Sequence, residues 1–470
     1  MPRNNAPRIG FISHSPWIAG AERALVNLLQ HLPPGRVQAL VIFPNIDGPL
    51  KSEVEDNLCL PVFELPYTIS IPAIGHPPLL ESKKQEILAF ATLFKELELD
   101  AVVVNTTVIY PASIAAALLN LPLILHAHGV LSEVLLPSLD TVQWYKIESI
   151  QLQLAERVIV PSDWIASHYR ALYRLSHSQL SVLPNGTNLP CLDGANARAA
   201  AGPPQFSMLC TLEPNKGVET FLEAAFIVLS RRPSGATFVV YGDHGRPAYR
   251  DELESLIQRK GLGGSFVLRP KQLEVSSIYK NSLAVIVASH VESFSFVAIE
   301  AMSHSRPVIA TRCGGPDEII EDGETGFLIE IGDSQALAGR ILRLIEDAPL
   351  CEKMGRAART AAEKRFDIRT IASEYLSTIL SAAQEPRSRE WANRRRLLAS
   401  LLLDGSDSGH QAELAIAGGS GQEHRLSRPA AQGAEPTGIT AEHASLNTAD
   451  LCESLELLRR RLHAINMELC

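Results

Sequence analysis

Short apolar runs rich in β-branched residues alternate with amphipathic helical patterns along most of this 470-residue chain, and the alternation occurs twice. The first series begins with the run from Arg8 to Ser13 and ends with LSVLPN, and the second runs from FSMLCTL to GFLIEI. Such alternation is typical of parallel sheets covered by helices. We therefore predict an α/β protein with two Rossmann-like domains, and a cleft between them as the binding site.

Changes in composition indicate where the domains begin and end. The stretch from Thr187 to Gln205 is rich in Gly, Pro and Ala and separates the two series. We predict an N-terminal domain over residues 1–190 and a C-terminal domain over residues 191–365. A helical segment over residues 366–384 is expected to pack back toward the N-terminal domain.

Residues 385–470 differ from the rest of the chain. They begin with a basic, leucine-containing run, Arg387 to Leu403, and continue through a Gly- and Ser-rich stretch. We expect a partly disordered tail that is flexible in the middle and helical at its end. The basic run could lie on an anionic membrane surface, or it could form a solvated helix or linker.

Bulk properties exclude several classes of protein. A formal net charge of -9 provides no basic field for a nucleic-acid backbone, so nucleic acid is not an expected partner. Seven scattered cysteines without a Cys-x-x-Cys pair are typical of a reducing compartment, and the first residues lack the apolar stretch of a secretory signal. We expect a cytoplasmic protein. The uncharged window from Ala101 to Leu125 has the length of a membrane span, but its Asn, Thr and Pro residues predict strand, loop, helix and strand instead.

Two glutamates mark the most informative segment, ESFSFVAIE. Glu292 and Glu300 are eight residues apart, which is roughly 80° around a helix, so they cannot be stacked helix neighbours. With Glu292 in a loop after a strand and Glu300 on the next helix, both carboxylates can converge at the carboxyl end of the sheet. Carboxylates accept hydrogen bonds from vicinal hydroxyls, which indicates a sugar or ribose. The backbone N–H groups from Phe294 to Val297 suit a phosphate.

At these residues the chain resembles the retaining glycosyltransferases of family 4, which have the GT-B fold. The Glu-x7-Glu motif is followed in order by PVIAT, GGPDEII and DGETGFLI. The resemblance implies that Glu292 contacts the donor sugar and Glu300 the nucleotide ribose. It covers roughly residues 8–384 and nothing beyond.

The segment CTLEPNKGVETFLEA places Lys216 and Gly217 where a strand ends and a helix begins. An ammonium group and the helix dipole can act there together on a diphosphate, although the spacing is not that of a Walker P-loop. The segment resembles the donor-diphosphate site of the same family, whose pattern has an arginine five residues before the lysine. Thr211 occupies that position here, which predicts a weaker but functional site.

Two further segments belong to the first domain. In SPWIAGAERALVNLL, Gly20 permits close approach of the backbone to a ligand, and the resemblance places it beside the donor phosphate and the acceptor; a plain tight turn would explain it equally well. In LPLILHAHGV, His126 and His128 lie on one face of a strand end. No third ligand with recognisable spacing supports a metal site. The resemblance implies that His128, or else His126, lies near the reacting sugar; a core histidine is the alternative for either.

Smaller matches and departures occur in the same order as in the family. VPSDWIASHY, VLPNGTN and VVYGDHG resemble family segments, with Ser162, Asn185, Gly186 and Gly242 at strand ends. Ser305 replaces a glycine that is usual in the family, and Arg269 and Pro270 stand where a glycine is common. These departures leave the identity of the donor more open than the fold.

Taken with the resemblance, the residues predict transfer of a hexosyl group, with retention, from a nucleoside-diphosphate sugar to a glycan, lipid-linked or small-molecule acceptor. No cofactor is expected. No bridging metal is expected either, because the chain has no Asp-x-Asp motif. A sugar-nucleotide epimerase of the same architecture and a non-catalytic binding protein are the alternatives. The expected catalytic residues are His128, Glu292 and Lys216, and the expected donor-binding residues are Gly20, Thr211, Lys216, Gly242, Phe294, Ser295, Phe296 and Glu300.

Overall fold

The computed structural model contains two parallel sheets that follow each other along the chain. It describes residues 6–17, 19–44, 47–69, 71, 83–130, 140–173, 175–191, 202–232, 235–242, 247–272, 274–385 and 388–404.

The first sheet is built from residues of the N-terminal series. Its strands are β1 (Arg8–Ile12), β2 (Gln38–Pro44), β3 (Val62–Leu65), β4 (Ala101–Val104), β5 (Leu123–His126), β6 (Arg157–Val160) and β7 (Leu180–Val182). All neighbours are parallel, in the order β3-β2-β1-β4-β5-β6-β7. The strand order therefore reverses between β1 and β4, where open α/β sheets bind their ligands.

Helices cover both faces of this sheet. They are α1 (Gly20–His31), α2 (Pro49–Ser52) with a π-helical turn (Glu53–Asn57), α3 (Lys84–Glu96), α4 (Tyr110–Leu118), α5 (Thr141–Leu154) and α6 (Asp163–Tyr173). Alternate residues of β4 enter different cores: Val102 and Val104 pack with α3, α4 and α5, whereas Ala101 and Val103 pack with α1. Strands buried on both faces read as continuous apolar runs, which explains why these strands could be recognised in the sequence.

The second sheet has six parallel strands. They are β8 (Gln205–Leu209), β9 (Thr237–Tyr241), β10 (Phe266–Arg269), β11 (Ser282–Val287), β12 (Val308–Thr311) and β13 (Gly326–Ile329), in the order β10-β9-β8-β11-β12-β13. Its helices are a 3₁₀ turn (Pro214–Lys216), α7 (Val218–Arg231), α8 (Pro247–Arg259), α9 (Ser276–Asn281), α10 (Phe296–Ser303), α11 (Gly315–Ile319), α12 (Ser334–Glu346) and α13 (Ala348–Arg365).

Helix α14 (Ile368–Gln384) belongs by its contacts to the first sheet. Ile371, Tyr375 and Ile379 are buried in the same core as the residues of α1. The segment that returns to the first domain lies beside the segment that leaves it. The backbone N–H of Thr187 donates to the carbonyl of Phe366 at 2.8 Å, and the N–H of Ile368 donates to the carbonyl of Thr187 at 3.2 Å. Two adjacent crossings therefore connect the domains.

A last described helix, α15 (Arg389–Asp404), packs against α4. Leu398 and Ala399 are buried in the core of the first sheet, and the buried Arg395 guanidinium donates to the carbonyl oxygen of Leu121 at 2.8 Å. The segment is helical, but the helix is not fully solvated, because its apolar side covers the N-terminal domain. The Gly- and Ser-rich stretch and the predicted terminal helix lie outside the described residues.

Two parallel-sheet domains were expected, and the structure confirms them. The edge strand β3 was not predicted, because it has only four residues and Glu64 interrupts its apolar run. The window from Ala101 to Leu125 forms β4, α4 and most of β5, as predicted. Within the part of the chain that the structure describes, no helix is both long and apolar enough to cross a bilayer. Most of the predicted linker, residues 192–201, lies outside that part.

Substitution of Gly217 can show how closely the turn after β8 packs against the end of β11. Its φ is +68°, and an added Cβ would lie 2.1 Å from the carbonyl oxygen of Ala288. Gly261 has the same conformation, with φ +69°, but nothing within 4 Å. We expect Gly261→Ala to lower the free energy of unfolding by about 1–2 kcal/mol through the left-handed backbone alone. Gly217→Ala should cost about 1–3 kcal/mol more, because the carbonyl of Ala288, just after β11, must move.

Urea denaturation of the two full-length variants measures this difference. Equal losses of stability would contradict the close contact between this turn and the end of β11.

Candidate active site

The loop that carries Glu292 is fixed between two strand ends of the second sheet. It follows β11, and the N–H of Glu292 donates to the carbonyl of Cys313 at 2.9 Å while its carbonyl accepts from Gly315 at 2.7 Å. An added Cβ on Gly315 would lie 2.4 Å from the Cα of Phe294, so only glycine allows this approach. Glu292 is thus held at the carboxyl edge of the sheet, as expected from the sequence.

Lys216 and Glu292 form an ion pair at this edge. The Nζ atom of Lys216 lies 2.8 Å from Oε2 of Glu292, and Ser289 Oγ donates to the same oxygen at 3.0 Å. Burial lowers the pKa of the Lys216 ammonium, but the Glu292 carboxylate outweighs this effect and leaves the pKa above its ordinary value. The lysine is therefore charged at neutral pH, and about a quarter of each side chain is exposed to bind a ligand.

The start of α10 lies next to this pair. Ser295 Oγ caps the helix by accepting from the N–H of Ala298 at 3.3 Å. The ring of Phe294 is buried against Phe296 and Phe366, so its side chain belongs to the core. No described residue accepts a hydrogen bond from the backbone N–H groups of Phe294, Ser295 or Phe296. These donors are the ones that the sequence indicated for a phosphate.

Glu300 has different partners from Glu292. Its side chain is 7% exposed; Oε2 accepts from the hydroxyl of Tyr279 at 2.6 Å, and Oε1 lies 3.1 Å from the guanidinium of Arg23. Burial raises the pKa of the carboxyl group, and the Arg23 charge and the Tyr279 hydrogen bond oppose that rise. Arg23 belongs to α1, so this contact crosses from the first domain to the second.

The two histidines lie side by side at the end of β5. Their ring centroids are 3.9 Å apart; Nδ1 of His126 lies 3.1 Å from the hydroxyl of Tyr375, and Nε2 of His128 donates to Oδ1 of Asn105 at 3.0 Å. Burial lowers the pKa of His126 to about 3. Burial and then the neighbouring His126 and His14 hold the pKa of His128 well below its ordinary value.

The site histidines and the Glu292 loop meet across the domain boundary. Gly129, the residue after His128, is so close to Ser293 that an added Cβ would lie 2.9 Å from its Oγ. Ser162, at the end of β6, donates its hydroxyl to the carbonyl of Ser293 at 2.8 Å. His128 and Glu292 are therefore each one residue from the same interdomain contact.

The remaining predicted residues lie at the same edges. Gly20 begins α1, and neither its φ nor any described atom within 4 Å requires a glycine there. Gly242 follows β9 and must be a glycine, because an added Cβ would lie 2.4 Å from the carbonyl oxygen of Cys210. Thr211, the residue after Cys210, is exposed. The functional roles of these residues stay predictions.

Sequence reasoning missed the residues that orient the predicted ones. Arg23 and Tyr279 hold Glu300, Ser289 holds Glu292, and Asn105 holds His128 while its amide donates to the carbonyl of Ala21 at 3.0 Å. Arg23 lies three residues after Gly20, and this nearness to a predicted site residue was the only sign in the sequence that it could matter. Among the described residues, no group of three or more His, Cys, Asp or Glu side chains is placed to hold a metal ion.

The low pKa values of the two histidines predict that both rings are neutral between pH 5 and pH 8. Proton NMR of the imidazole C–H signals, assigned with His126→Asn and His128→Asn, should show shifts that do not change over this range. A titration of either ring with a midpoint near the ordinary value of about 6.5 would contradict the burial described here.

Comparisons with known proteins agree with this geometry. The model of glycosyltransferase family 4 matches residues 18–189, and the model of the glycosyl transferases group 1 matches residues 195–361. D-inositol 3-phosphate glycosyltransferase of Streptomyces avermitilis is 32% identical over 251 residues, which cover 50% of this chain and 54% of that protein. This chain thus spans about half the length of the curated relatives that it matches.

Solved structures resemble the whole two-domain fold. The Anabaena protein HepE, crystallised with UDP, has a TM-score of 0.66 and 24% identity, and the match covers 80% of this chain and 100% of that one. Sucrose-phosphate synthase of Thermosynechococcus elongatus has a TM-score of 0.65 and 22% identity, with the same coverage. These likenesses confirm the predicted GT-B fold. Since the two family models together match most of the chain in the order that its motifs indicated, the chain belongs to glycosyltransferase family 4.

Proposed function

We propose that the chain is a retaining glycosyltransferase that transfers a hexosyl group from a nucleoside-diphosphate sugar to a glycan, lipid-linked or small-molecule acceptor. Such a reaction belongs to polysaccharide or glycoconjugate biosynthesis. The observation that carries the proposal is the arrangement of Lys216, Glu292 and Glu300 at one edge of the second sheet, opposite His128 and Gly20 of the first domain. The donor binds between these two sets of residues.

Lys216 and the start of α10 bind the diphosphate. The lysine is positively charged, and the N–H groups of Phe294, Ser295 and Phe296 have no described acceptor, so both can stabilise the charge that develops on the departing nucleoside diphosphate. This electrostatic contribution is arranged by the fold before the donor binds. We expect no bridging metal, because these groups already supply positive charge and the sequence has no Asp-x-Asp motif.

Glu292 orients the donor sugar and does not attack it. Its carboxylate is shared with Lys216 and Ser289, which leaves lone pairs for two sugar hydroxyls. The acceptor hydroxyl attacks on the face from which the diphosphate leaves, so the configuration is retained without a protein nucleophile. As a neutral imidazole whose Nε2–H donates to Asn105, His128 accepts a hydrogen bond from a sugar hydroxyl at Nδ1.

Gly20 supports an approach of the ligand to the start of α1. Gly217 and Gly242 are fixed as glycine by their neighbours, whereas nothing described in the chain requires glycine at position 20. The open space at position 20 leaves room for a ligand against the backbone, and the donor phosphate and the acceptor are the candidates. Thr211 supplies no charge. Lys216 therefore contributes a larger share of the diphosphate binding than a lysine that has an arginine beside it.

A thermal-shift panel of UDP-, GDP-, ADP- and dTDP-sugars tests donor binding. HepE was solved with UDP, which makes the uridine donors the first to try. We expect one base to stand out, since a ligand at about 100 times its Kd adds roughly 2.7 kcal/mol of stability. Lys216→Ala should remove the shift and lower turnover about 100-fold or more.

Lys260→Ala is the matched control. Its Nζ lies 2.7 Å from Glu223, and its side chain is 24% exposed, against 2.8 Å and 23% for Lys216. The control should keep both the shift and the turnover. No shift with any donor, or the same loss in both variants, would reject the proposed site.

Product analysis separates transfer from the alternatives. Only transfer requires a second substrate, so release of an epimerised nucleotide sugar without an acceptor would identify an epimerase. A non-catalytic binding role fails if the isolated chain turns over a donor and Glu300→Gln stops it. The anomeric configuration of the product, read by NMR, tests retention.

We further propose that the reaction takes place in the cytoplasm, with peripheral contact at the inner membrane face. The described cysteines are unpaired, which fits a reducing compartment. Leu398 and Ala399 are buried, so any membrane contact must use the outer face of α15, where Leu397 is 56% exposed.

Flotation on anionic liposomes tests this contact. The full chain should float, and Leu397→Glu should reduce flotation without changing the fold, because that side chain points away from the domain. Equal flotation of the two proteins, or none, would reject a membrane role for α15.

A further inference from the structure

Arg23 is a residue of the first domain that reaches a donor-binding side chain of the second. It lies in the first turns of α1, three residues after Gly20, and its Nη2 is 3.1 Å from Oε1 of Glu300 on α10. About a third of the arginine side chain is exposed, whereas the Glu300 side chain is almost fully buried. No pattern in the sequence assigns a function to this arginine.

The geometry leaves Glu300 able to bind a ligand. Each oxygen of a carboxylate has two lone pairs. Arg23 uses one lone pair of Oε1 and the hydroxyl of Tyr279 uses one of Oε2. One lone pair on each oxygen is therefore left, which is the arrangement that two vicinal hydroxyls require.

We propose that Arg23 is a positioning residue for ribose recognition, which holds the Glu300 carboxylate from the opposite domain in the orientation that accepts both ribose hydroxyls. This inference rests on the proposed function, because it assumes that the donor ribose binds Glu300. It adds a second condition for donor binding, namely that the two domains are in contact.

The charges around Glu300 support this role. Burial favours the neutral carboxylic acid, and a neutral acid is the poorer acceptor. Arg23 from α1 and Tyr279 from α9 are the groups that face the carboxylate among the described residues, and both lower its pKa. His304, on the same helix, is hydrogen-bonded to the backbone carbonyl of Glu300 and not to its side chain.

Domain contact and nucleotide binding are coupled by this arrangement. Two other contacts cross the domain boundary, between Ser162 and Ser293 and between the N–H of Asp163 and Glu318. The proposed function gives neither Ser293 nor Glu318 a role in donor binding. The Arg23 contact ends on the ribose-binding carboxylate itself. Separation of the domains would leave the Glu300 carboxylate without its cation, so the open arrangement binds the nucleotide more weakly.

The test compares two nucleotides in binding titrations. The probes are the ribonucleoside diphosphate whose base the donor panel selects and its 2′,3′-dideoxy analogue, which lacks the hydroxyls that Glu300 would bind. Arg23→Gln should weaken binding of the ribonucleotide roughly tenfold, in line with the loss of a charged hydrogen-bond partner. It should leave binding of the dideoxy analogue unchanged, and Arg23→Lys should restore part of the loss.

Two further readouts separate positioning from a general structural effect. Removal of Arg23 raises the pKa of Glu300 further, so ribonucleotide binding should be lost at a higher pH in Arg23→Gln than in the wild type as the solution is acidified. Arg232→Gln is the control: its guanidinium lies 3.6 Å from Glu346, and it follows α7 at the end opposite to Lys216 and Gly217. It should bind both nucleotides as the wild type does.

Each other outcome rejects the inference. If Arg23→Gln lost the same affinity for both nucleotides, Arg23 would contact the diphosphate instead. If it bound the ribonucleotide more tightly than the wild type, Arg23 would compete with the ribose for Glu300. Unchanged binding and unchanged pH dependence would leave the proposed function intact and remove the role of Arg23. Failure of the wild type to bind any of the nucleotides would reject the proposed function together with this inference.

Discussion

In a parallel sheet all strands end at the same edge, and this molecule has two such edges facing each other. The loops after β1, β4 and β5 bring Gly20, Asn105 and His128 to one edge, and those after β8 and β11 bring Lys216 and Glu292 to the other. None of these residues is close to its functional partner in sequence. The polar cleft therefore exists only because both sheets fold and because the chain crosses twice between them, at Thr187 and at Ile368.

Charges in this cleft are paired within the protein. Glu292 is bound to Lys216, and Glu300 to Arg23 and Tyr279. Buried charges need such partners, since an unpaired carboxylate in a poorly solvated site would become protonated. The pairing has a consequence for binding, because a donor must share these groups with their present partners. A carboxylate with two lone pairs on each oxygen can do so without losing its internal contact.

The sequence was sufficient to predict the strands that are buried on both faces and the site residues that follow them. It was insufficient where burial depends on a distant part of the chain. The short edge strand β3 has little apolar character, and α15 gave a basic amphipathic pattern that does not reveal which surface its apolar side covers. Arg23 could not be distinguished from a solvated helix residue, since its partner lies in the other domain. Ser305, a departure from the family pattern, has a φ of +57°, so the turn keeps the left-handed conformation that usually favours glycine.

The central claim is that one activated sugar nucleotide bridges Lys216 and Glu300, with its diphosphate at the first and its ribose at the second. A crystal structure of the full chain with the nucleoside diphosphate selected by the donor panel tests it most directly. We expect phosphate oxygens within hydrogen-bonding distance of Nζ of Lys216 and both ribose hydroxyls on the carboxylate of Glu300. A nucleotide bound outside the cleft, or bound in it with neither contact, would contradict this claim.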